Sequence, residues 1–288
     1  LMRELKPDVV HCHSNLILLY LPALFCKSPR YLHTLHNLAD KCLRWRWCKP
    51  INKCLYSGKV QAITISRECH QSYKSLYGLD NDNMIINGRE KVQLTVDAEK
   101  VREEVCSLTR GKQPVFINVA RCAQQKNHKL LFDVFERLSA EGSDAQLLVV
   151  GAGHEDNMVR YKSHPNIHVI GERKNVADYL AQADYFILSS IYEGLPLTLL
   201  EAMSMGVIPV CTPAGGIKDV IRDGENGYMT KGFSDEEFYS KIKQAMSESD
   251  RISRDMIMQE YHEKYSMGKC ADNYKTIYQL GKDCTFVY

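Results

Sequence analysis

The chain has 288 residues, enough for two ordinary domains, and its 44% hydrophobic and 25% charged content excludes a disordered or fibrous protein. Its net charge is only +2, which does not indicate the extended basic surface that nucleic-acid binding requires, so we expect no nucleic-acid partner. Eleven cysteines cannot all pair, and none forms a C-x-x-C motif. We therefore expect reduced thiols in a cytoplasmic protein, and no zinc site.

Short apolar runs alternate with amphipathic stretches along the chain, a pattern typical of parallel strands joined by helices. In the first part, the predicted helices are Leu16–Cys26, which is too short to span a membrane, Leu38–Tyr56, and a helix that runs from a Ser66 cap to Leu76. The predicted strands there are Pro7–Cys12, Arg30–Leu35, Val60–Ile65 and Met84–Ile86.

A charged connector, Lys91–Lys112, has few apolar positions, and we place a domain boundary inside it. The predicted fold class is α/β, with Rossmann-like parallel-sheet domains at 1–108 and 109–265 and a C-terminal helix at 266–288. The predicted strands of the second domain are Val115–Ala120, Gln146–Gly151, Ile167–Ile170, Tyr185–Ser189 and Val207–Cys211. The predicted helices there and beyond are His128–Ala140, His154–Ser163, Val176–Ala181, Leu197–Met205, Asp235–Ser247, Asp250–Tyr265 and Gly268–Leu280.

Loops that follow strands of the second domain carry the candidate functional residues, because open parallel sheets bind ligands at that edge. In the first loop, Arg121 and Lys126 can converge on a diphosphate. In the second, Gly151 and Gly153 resemble the start of a dinucleotide fingerprint. Asp156 stands where its third glycine belongs, so a nicotinamide cofactor is not expected.

The third loop places Glu193 before a helix that carries Glu201. The unpaired amides at the start of that helix, near Leu197–Leu199, form an anion site between the two carboxylates. Such carboxylates can bind hydroxyl groups on either side of a phosphate. The fourth loop contains the pair Gly215-Gly216.

Together, Arg121…Lys126, Gly151-Ala-Gly153, Glu193 with seven residues before Glu201, Gly215-Gly216 and Asp223-Gly-Glu-Asn-Gly227 resemble family 4 glycosyltransferases. The resemblance covers essentially the whole chain and is strongest over Val115–Thr230. It implies the GT-B fold, in which two Rossmann-like domains face a cleft and a C-terminal helix packs back toward the first. It also implies that the first domain lacks its start, because family members have further βα units before the segment resembling Pro7–His13.

The resemblance also implies residue roles. Arg121 and Lys126 would hold the donor diphosphate, Glu193 would contact the donor sugar, and Glu201 would contact the ribose. The loop Gly171–Val176, with Arg173, would lie beside the nucleobase. Further donor-pocket residues are Gly153, Gly194, Leu195, Leu197, Thr198 and Leu199. We count Glu193, His36, Arg121 and Lys126 as the catalytic candidates.

His36 ends a strand and is similar to the family histidine near the transferred sugar, although a structural role is equally open. We interpret His11 and His13 as structural. Asp80-Asn81-Asp82 looks like a metal-binding D-x-D motif, but we interpret it as a turn. Arg89 replaces the small or apolar residue that the resemblance leads us to expect, and nothing in the sequence explains it.

Tryptophans and cations alternate between Arg44 and Lys49, which favours contact with a membrane interface, and we expect this contact on the inner face of the membrane. The resemblance implies a retaining glycosyltransferase that moves a sugar from a nucleotide-diphosphate sugar, with UDP expected, to a glycan or lipid-linked acceptor in surface polysaccharide synthesis. No metal or other permanently bound cofactor is expected. The alternatives are a nucleotide-sugar epimerase and a non-catalytic, truncated donor-binding protein.

Overall fold

The computed structural model describes residues 7–13, 29–43 and 45–279. The chain divides into two compact units, one formed by Leu1–Gly88 with Met267–Tyr288 and the other by Arg89–Ser266. The predicted helix Leu16–Cys26 and Arg44 lie outside the described residues. The predicted α/β class with two parallel-sheet domains is confirmed.

The first unit contains a four-stranded parallel sheet in the order β1-β2-β3-β4. Its central strands are apolar on both faces, as strands covered by helices on both sides must be. Leu32 and Ile63 point to one buried cluster, and Leu35 and Ala62 to another. The strands are β1 Val9–Cys12, β2 Arg30–Leu35, β3 Val60–Thr64 and β4 Asn83–Met84.

The helices of the first unit differ from prediction at one place. The single helix predicted for Leu38–Tyr56 is interrupted, because Leu43 is extended and Pro50 lies in the first turn of a new helix, where proline is tolerated. The predicted Ser66 cap is present: its hydroxyl accepts the Cys69 amide at 3.1 Å. The helices are Ala39–Cys42, the 3₁₀ turn Arg46–Cys48, Lys49–Tyr56, Arg67–Tyr77 and Met267–Gln279.

The second unit contains a six-stranded parallel sheet in the order β10-β9-β8-β5-β6-β7. The chain enters at β5, extends to one edge through β6 and β7, and then returns to the other side of β5 with β8. The order therefore reverses at β5, which is where doubly wound sheets place ligands. The strands are β5 Val115–Val119, β6 Gln146–Val150, β7 Ile167–Gly171, β8 Tyr185–Leu188, β9 Ile208–Cys211 and β10 Tyr228–Met229.

Helices cover this sheet and confirm most of the predicted elements. The final predicted helix of this unit is divided into an α-helix and a π-helical turn. The helices are Ala98–Thr109, the 3₁₀ turn Gln124–Lys126, His128–Ala140, Glu155–Arg160, Val176–Leu180, Leu197–Ser204, Ile217–Val220, Asp235–Ser247, Arg254–Glu260 and the π-helix Tyr261–Tyr265.

The boundary between the units lies at Gly88, before the position predicted at 108. The charged connector is a helix, Ala98–Thr109, that buries Val101 and Val105. Glu104 on this helix accepts a hydrogen bond from the Tyr179 hydroxyl at 2.7 Å. The few apolar residues of the helix Ala98–Thr109 recur at helical spacing and therefore lie on one face. Burial of that face packs the connector onto the second unit.

Two expectations from composition can be compared with the structure. None of the described cysteines forms a disulfide bond, and five of them are buried: Cys42, Cys48, Cys69, Cys211 and Cys270. Within the described ranges, no helix combines the length and apolarity that crossing a bilayer requires.

Candidate active site

The loops after β5 and β8 lie on adjacent strands at the point where the sheet order reverses. Their backbones are joined directly, because the Ile191 amide donates to the Gln125 carbonyl at 2.8 Å. The Ser189 hydroxyl contacts the carbonyl oxygens of Lys126 and Asn127, each at 3.0 Å. The candidate residues on these two loops are therefore held in one place by backbone contacts.

This junction brings Lys126 and Glu193 together. The Lys126 ammonium lies 2.6 Å from Oε1 of Glu193, and the two side chains are only 14% and 7% exposed. Oε1 also accepts a hydrogen bond from the Ser190 hydroxyl at 2.6 Å. A carboxylate so little exposed needs such partners, because burying an unpaired charge is costly. Ser190 was not recognised from sequence; its position three residues before Glu193 was the available signal.

Arg121 lies on the same loop as Lys126 but is exposed, and it forms no ion pair with any described residue. Its guanidinium is therefore free to bind a ligand anion. Arg121 and Lys126 differ in this respect, because the Lys126 ammonium is already paired with Glu193.

The paired glycines of the fourth loop are explained by backbone packing against the third loop. A Cβ on Gly215, whose φ is +55°, would lie 1.8 Å from the Glu193 carbonyl oxygen. The Gly216 amide donates to the Gly194 carbonyl at 2.6 Å. These glycines support the loop that carries Glu193.

Gly151 has a comparable role, since a Cβ there would lie 2.0 Å from the Ala120 carbonyl oxygen. The protein's own backbone therefore makes the close approach that requires glycine here. Gly153 has φ of +78°, a conformation that favours glycine, and faces Cys122.

The helix Leu197–Ser204 begins next to Glu193 and provides unpaired amides. We expected the Leu199 amide to be unpaired, but it donates to the Pro196 carbonyl at 3.1 Å. The amides of Leu197 and Thr198 donate to no described residue. Gly194 and Leu197 are exposed and Leu195 is buried. Of the three amides predicted to be unpaired, only the first two of the helix remain available to an acceptor.

Glu201 is paired with the residue that the sequence left unexplained. Arg89 Nε and Nη2 lie 2.8 and 2.6 Å from Glu201 Oε1. The Arg89 backbone is fixed by the Tyr261 hydroxyl, which donates to its carbonyl at 2.6 Å, and by the Tyr265 carbonyl, which accepts its amide at 2.9 Å. Both carboxylates of this unit that we assigned to donor binding thus face a cation.

Arg173 follows β7, at the far edge of the sheet from β8. Its guanidinium donates to the Tyr179 hydroxyl at 3.0 Å and to the Glu172 carbonyl at 3.0 Å. Within the described ranges, no hydrogen bond or ion pair joins it to the other predicted donor-site side chains.

In the first unit, His36 belongs to a cluster with His11 and His13. His13 Nδ1 and His36 Nε2 are 2.9 Å apart. His11 makes two further hydrogen bonds of 2.8 Å, to the hydroxyl groups of Tyr278 and Thr34. Burial lowers the pKa of all three imidazoles, and that of His11 to about 4, with the other histidines adding to the effect. His11 and His13, interpreted as structural, are thus the neighbours of His36.

The Asp80-Asn81-Asp82 segment is irregular rather than a defined turn; it lies between the helix Arg67–Tyr77 and β4, and its side chains have protein partners. Asp82 accepts hydrogen bonds from the Thr64 hydroxyl at 2.6 Å and from His70 at 2.9 Å. Asp80 is paired with Lys74 at 2.5 Å. These contacts account for the acidic residues without a metal ion.

The family model for glycosyl transferases group 1 matches residues 102–264. The chain is 27% identical over 249 residues to the UDP-Gal:alpha-D-GlcNAc-diphosphoundecaprenol alpha-1,3-galactosyltransferase of Escherichia coli, covering 80% of this chain and 64% of that protein. It is 29% identical over 248 residues to the N-acetyl-alpha-D-glucosaminyl L-malate synthase of Bacillus anthracis, covering 79% and 62%. The chain therefore spans less than two thirds of the length of these relatives.

Solved structures share the fold. The Anabaena Alr3699/HepE protein in complex with UDP aligns with a TM-score of 0.78 at 16% identity, over 96% of this chain and 79% of that one. A glycosyltransferase from Rickettsia africae ESF-5 aligns with a TM-score of 0.81 at 18% identity, over 96% and 78%. The family model covers more than half of the chain, including all four loops that carry the candidate residues of the second unit. This chain therefore belongs to the group 1 glycosyl transferases.

Proposed function

We propose that this chain is a retaining glycosyltransferase that moves a sugar from a UDP-sugar to a glycan or lipid-linked acceptor in surface polysaccharide synthesis. The observation that carries the proposal is the arrangement around β5 and β8. Two cations, two unpaired helix amides and two carboxylates lie on the loops that follow β5 and β8 and on the helix Leu197–Ser204.

The chemistry of group transfer from a nucleotide sugar requires stabilisation of the departing diphosphate. Arg121 and Lys126, with the Leu197 and Thr198 amides, can supply this stabilisation through charge-assisted hydrogen bonds. These groups need no cation between them and the phosphates. Glu193 and Glu201 accept hydrogen bonds, as recognition of sugar and ribose hydroxyl groups requires.

The donor and acceptor classes are supported by the relatives. A related structure contains UDP, and another structure of the same protein contains UDP-glucose. Two relatives are named for transfer to diphosphoundecaprenol-linked sugars. We extend these classes to this chain, together with a cytoplasmic location on the inner face of the membrane.

Contact with that membrane would use the segment from Arg44 to Lys49. Trp45 and Trp47 are 41% and 62% exposed, and their rings stack 5.8 Å apart. Indole rings on a basic segment suit the headgroup region of an anionic bilayer. The chain should float with anionic liposomes, and it should no longer do so when both tryptophans are changed to alanine. Unchanged flotation of that variant would contradict this membrane contact.

The first test of the function is calorimetric binding of UDP, GDP and ADP. Arg121→Ala is the informative variant, because Arg121 is exposed and its loss does not break an ion pair among the described residues. We expect UDP to bind in preference to the other two, and Arg121→Ala to weaken it about tenfold, as loss of one charge-assisted contact does. Lys129→Ala, which removes an exposed lysine eight positions further along the chain, should leave binding unchanged.

Failure of UDP to bind, or equal binding by the two variants, would contradict the donor assignment. Turnover is then measured with UDP-sugars and lipid-linked acceptors. Donor binding without transfer to any acceptor would favour the non-catalytic alternative, and product formed without an acceptor would favour an epimerase.

A further inference from the structure

Three potential metal ligands lie next to the Arg121–Lys126 loop. One ligand atom from each of Cys122, His128 and His154 lies within 4.8 Å of the other two. Cys122 follows β5, His128 begins the next helix, and His154 lies between β6 and its helix. The imidazoles are almost fully buried, at 5% and 1% exposure, and the thiol is exposed.

The hydrogen bonds of His128 determine which ring nitrogen carries its lone pair. Asn118 donates its Nδ2 to the Ile187 carbonyl at 2.8 Å, so its Oδ1 faces His128. His128 Nε2 lies 3.1 Å from that Oδ1 and must therefore be the protonated nitrogen. Nδ1 then carries a lone pair. It is buried and has no hydrogen-bond partner among the described residues.

His154 has the same tautomer. Its Nε2 lies 3.1 Å from the Ala120 carbonyl oxygen, which can only accept. Its Nδ1 accepts a hydrogen bond from Asn157 Nδ2 at 3.2 Å, and the same Nδ2 lies 3.8 Å from the Cys122 sulfur. The Asn157 amide thus contacts two of the three candidate ligands.

In both imidazoles Nε2 donates to a protein oxygen, as in metal-binding histidines, and Nδ1 carries the lone pair. His128 Nδ1 has no partner among the described residues, whereas His154 Nδ1 accepts the Asn157 amide, which a metal ion would have to displace. Burial lowers the pKa of both, that of His128 to about 4, which keeps their lone pairs available at neutral pH. A buried nitrogen without a partner is rare in proteins and requires an explanation.

We propose that Cys122 Sγ, His128 Nδ1 and His154 Nδ1 bind one zinc ion, with water as a fourth ligand. One sulfur and two nitrogen ligands suit Zn²⁺, and the exposed thiol provides the entry path. The thiol releases its proton to solvent when the Zn–S bond forms. Bound zinc would tie the loop that carries Arg121 to the loop before Glu155–Arg160. The site stands independently of the proposed function.

The second group of potential ligands, His70, Asp80 and Asp82, supports no such proposal. Lys74 and Thr64 already contact its carboxylates, and no nitrogen or oxygen of that group is buried without a partner among the described residues.

Cobalt titration of the reduced 288-residue chain tests the site, because Co²⁺ bound to a thiolate absorbs in the near ultraviolet and tetrahedral Co²⁺ absorbs in the visible. We expect both signals to saturate at one ion per chain and to disappear when Zn²⁺ is added. Cys122→Ser should remove the thiolate band and weaken zinc binding by about 100-fold or more. Cys106→Ser, at another exposed cysteine of the same unit, is the matched control and should retain both.

Asn157→Ala provides a second test that leaves all three ligands in place. Because the Asn157 amide competes for the His154 lone pair, its removal should strengthen zinc binding several-fold. Circular dichroism of each variant shows that it is folded. Absence of stoichiometric cobalt binding, a thiolate band that survives Cys122→Ser, or weaker zinc binding in Asn157→Ala would overturn the proposal.

Discussion

In the second unit, Glu193 and Glu201 each face a cation, whereas in the first unit His11, His13 and His36 contact one another and neutral hydroxyl groups. The difference follows from the chemistry of the side chains. A carboxylate remains ionised at neutral pH and, when buried, needs a counter-ion. An imidazole can lose its proton, so burial produces a neutral hydrogen-bonded cluster. Three experiments test whether this difference holds.

The largest effect is expected from Lys126→Ala. It leaves the carboxylate of Glu193, which is 7% exposed, with the Ser190 hydroxyl as its remaining described side-chain partner. Loss of one partner of such a pair costs about 3 kcal/mol. Urea unfolding measures the change in the free energy of unfolding.

The matched control is Lys129→Ala, whose side chain is 85% exposed and paired with Asp133, and which should change stability by less than about 0.5 kcal/mol. Adding Glu193→Gln to Lys126→Ala should restore much of the lost stability, because no unpaired charge remains. Equal free energies of unfolding for the two lysine variants would contradict this expectation. They would show that the buried Lys126–Glu193 pair contributes no more to stability than the exposed Lys129–Asp133 pair.

An intermediate effect is expected from Arg89→Ala. If Glu201 binds the ribose, Arg89 competes with the ligand for Oε1, and its loss should tighten UDP binding about fivefold, equivalent to about 1 kcal/mol. The backbone contacts of Arg89 with Tyr261 and Tyr265 remain in this variant. Calorimetry gives the affinity.

A UDP analogue without ribose hydroxyl groups is the control ligand, and Arg89→Ala should not bind it more tightly. A loss of UDP affinity would mean instead that Arg89 itself contacts the donor. A gain that extends to the analogue would mean that the Arg89–Glu201 pair acts indirectly.

The smallest effect is expected from His11. Its pKa is lowered from 6.5 to about 4 in the folded chain, mainly by burial. Between these values the unfolded chain binds more protons, so stability increases with pH across this interval and is lost as pH falls through it. His11→Gln should reduce this dependence, measured as the difference in urea midpoint from wild type at several pH values.

Tyr278→Phe is the comparison variant, since it removes the hydroxyl that contacts Nδ1 but keeps the imidazole. It should retain the pH dependence. If stability changed with pH in His11→Gln as it does in wild type, His11 would not be the source of this pH dependence. The lowered pKa of His11, and with it the neutral histidine cluster, would then be contradicted.

Much of the fold was predictable because apolar runs and caps are local signals. The strand Arg30–Leu35 and the helices His128–Ala140 and Asp235–Ser247 have the predicted limits. The interruption of Leu38–Tyr56 was missed, although Pro50 was visible, because the apolar spacing continues on both sides of it. The connector helix was missed because its few apolar residues pack on elements distant in the sequence.

The candidate site was predicted as a set of residues rather than as a set of contacts. The motif spacing identified Arg121, Lys126, Glu193 and Glu201, and their assignment to donor binding remains a prediction. Spacing could not show that Gly215 supports Glu193 or that Leu199 uses its amide within its own turn. Nor did cysteine spacing indicate that Cys122 lies beside His128 and His154.

The sequence alone determined the α/β class, the order of the strands along the chain and the loops that carry charge after them. These properties depend on periodicity and on residue type within a few positions. The tertiary structure decided which charges meet: Arg89 and Glu201 are 112 positions apart, and Lys126 and Glu193 are 67 apart. Lys126 meets Glu193 because β5 and β8, which are distant in sequence, are neighbours in the sheet, whereas Arg89 is held in place by Tyr261 and Tyr265. No local pattern in the sequence encodes either neighbourhood.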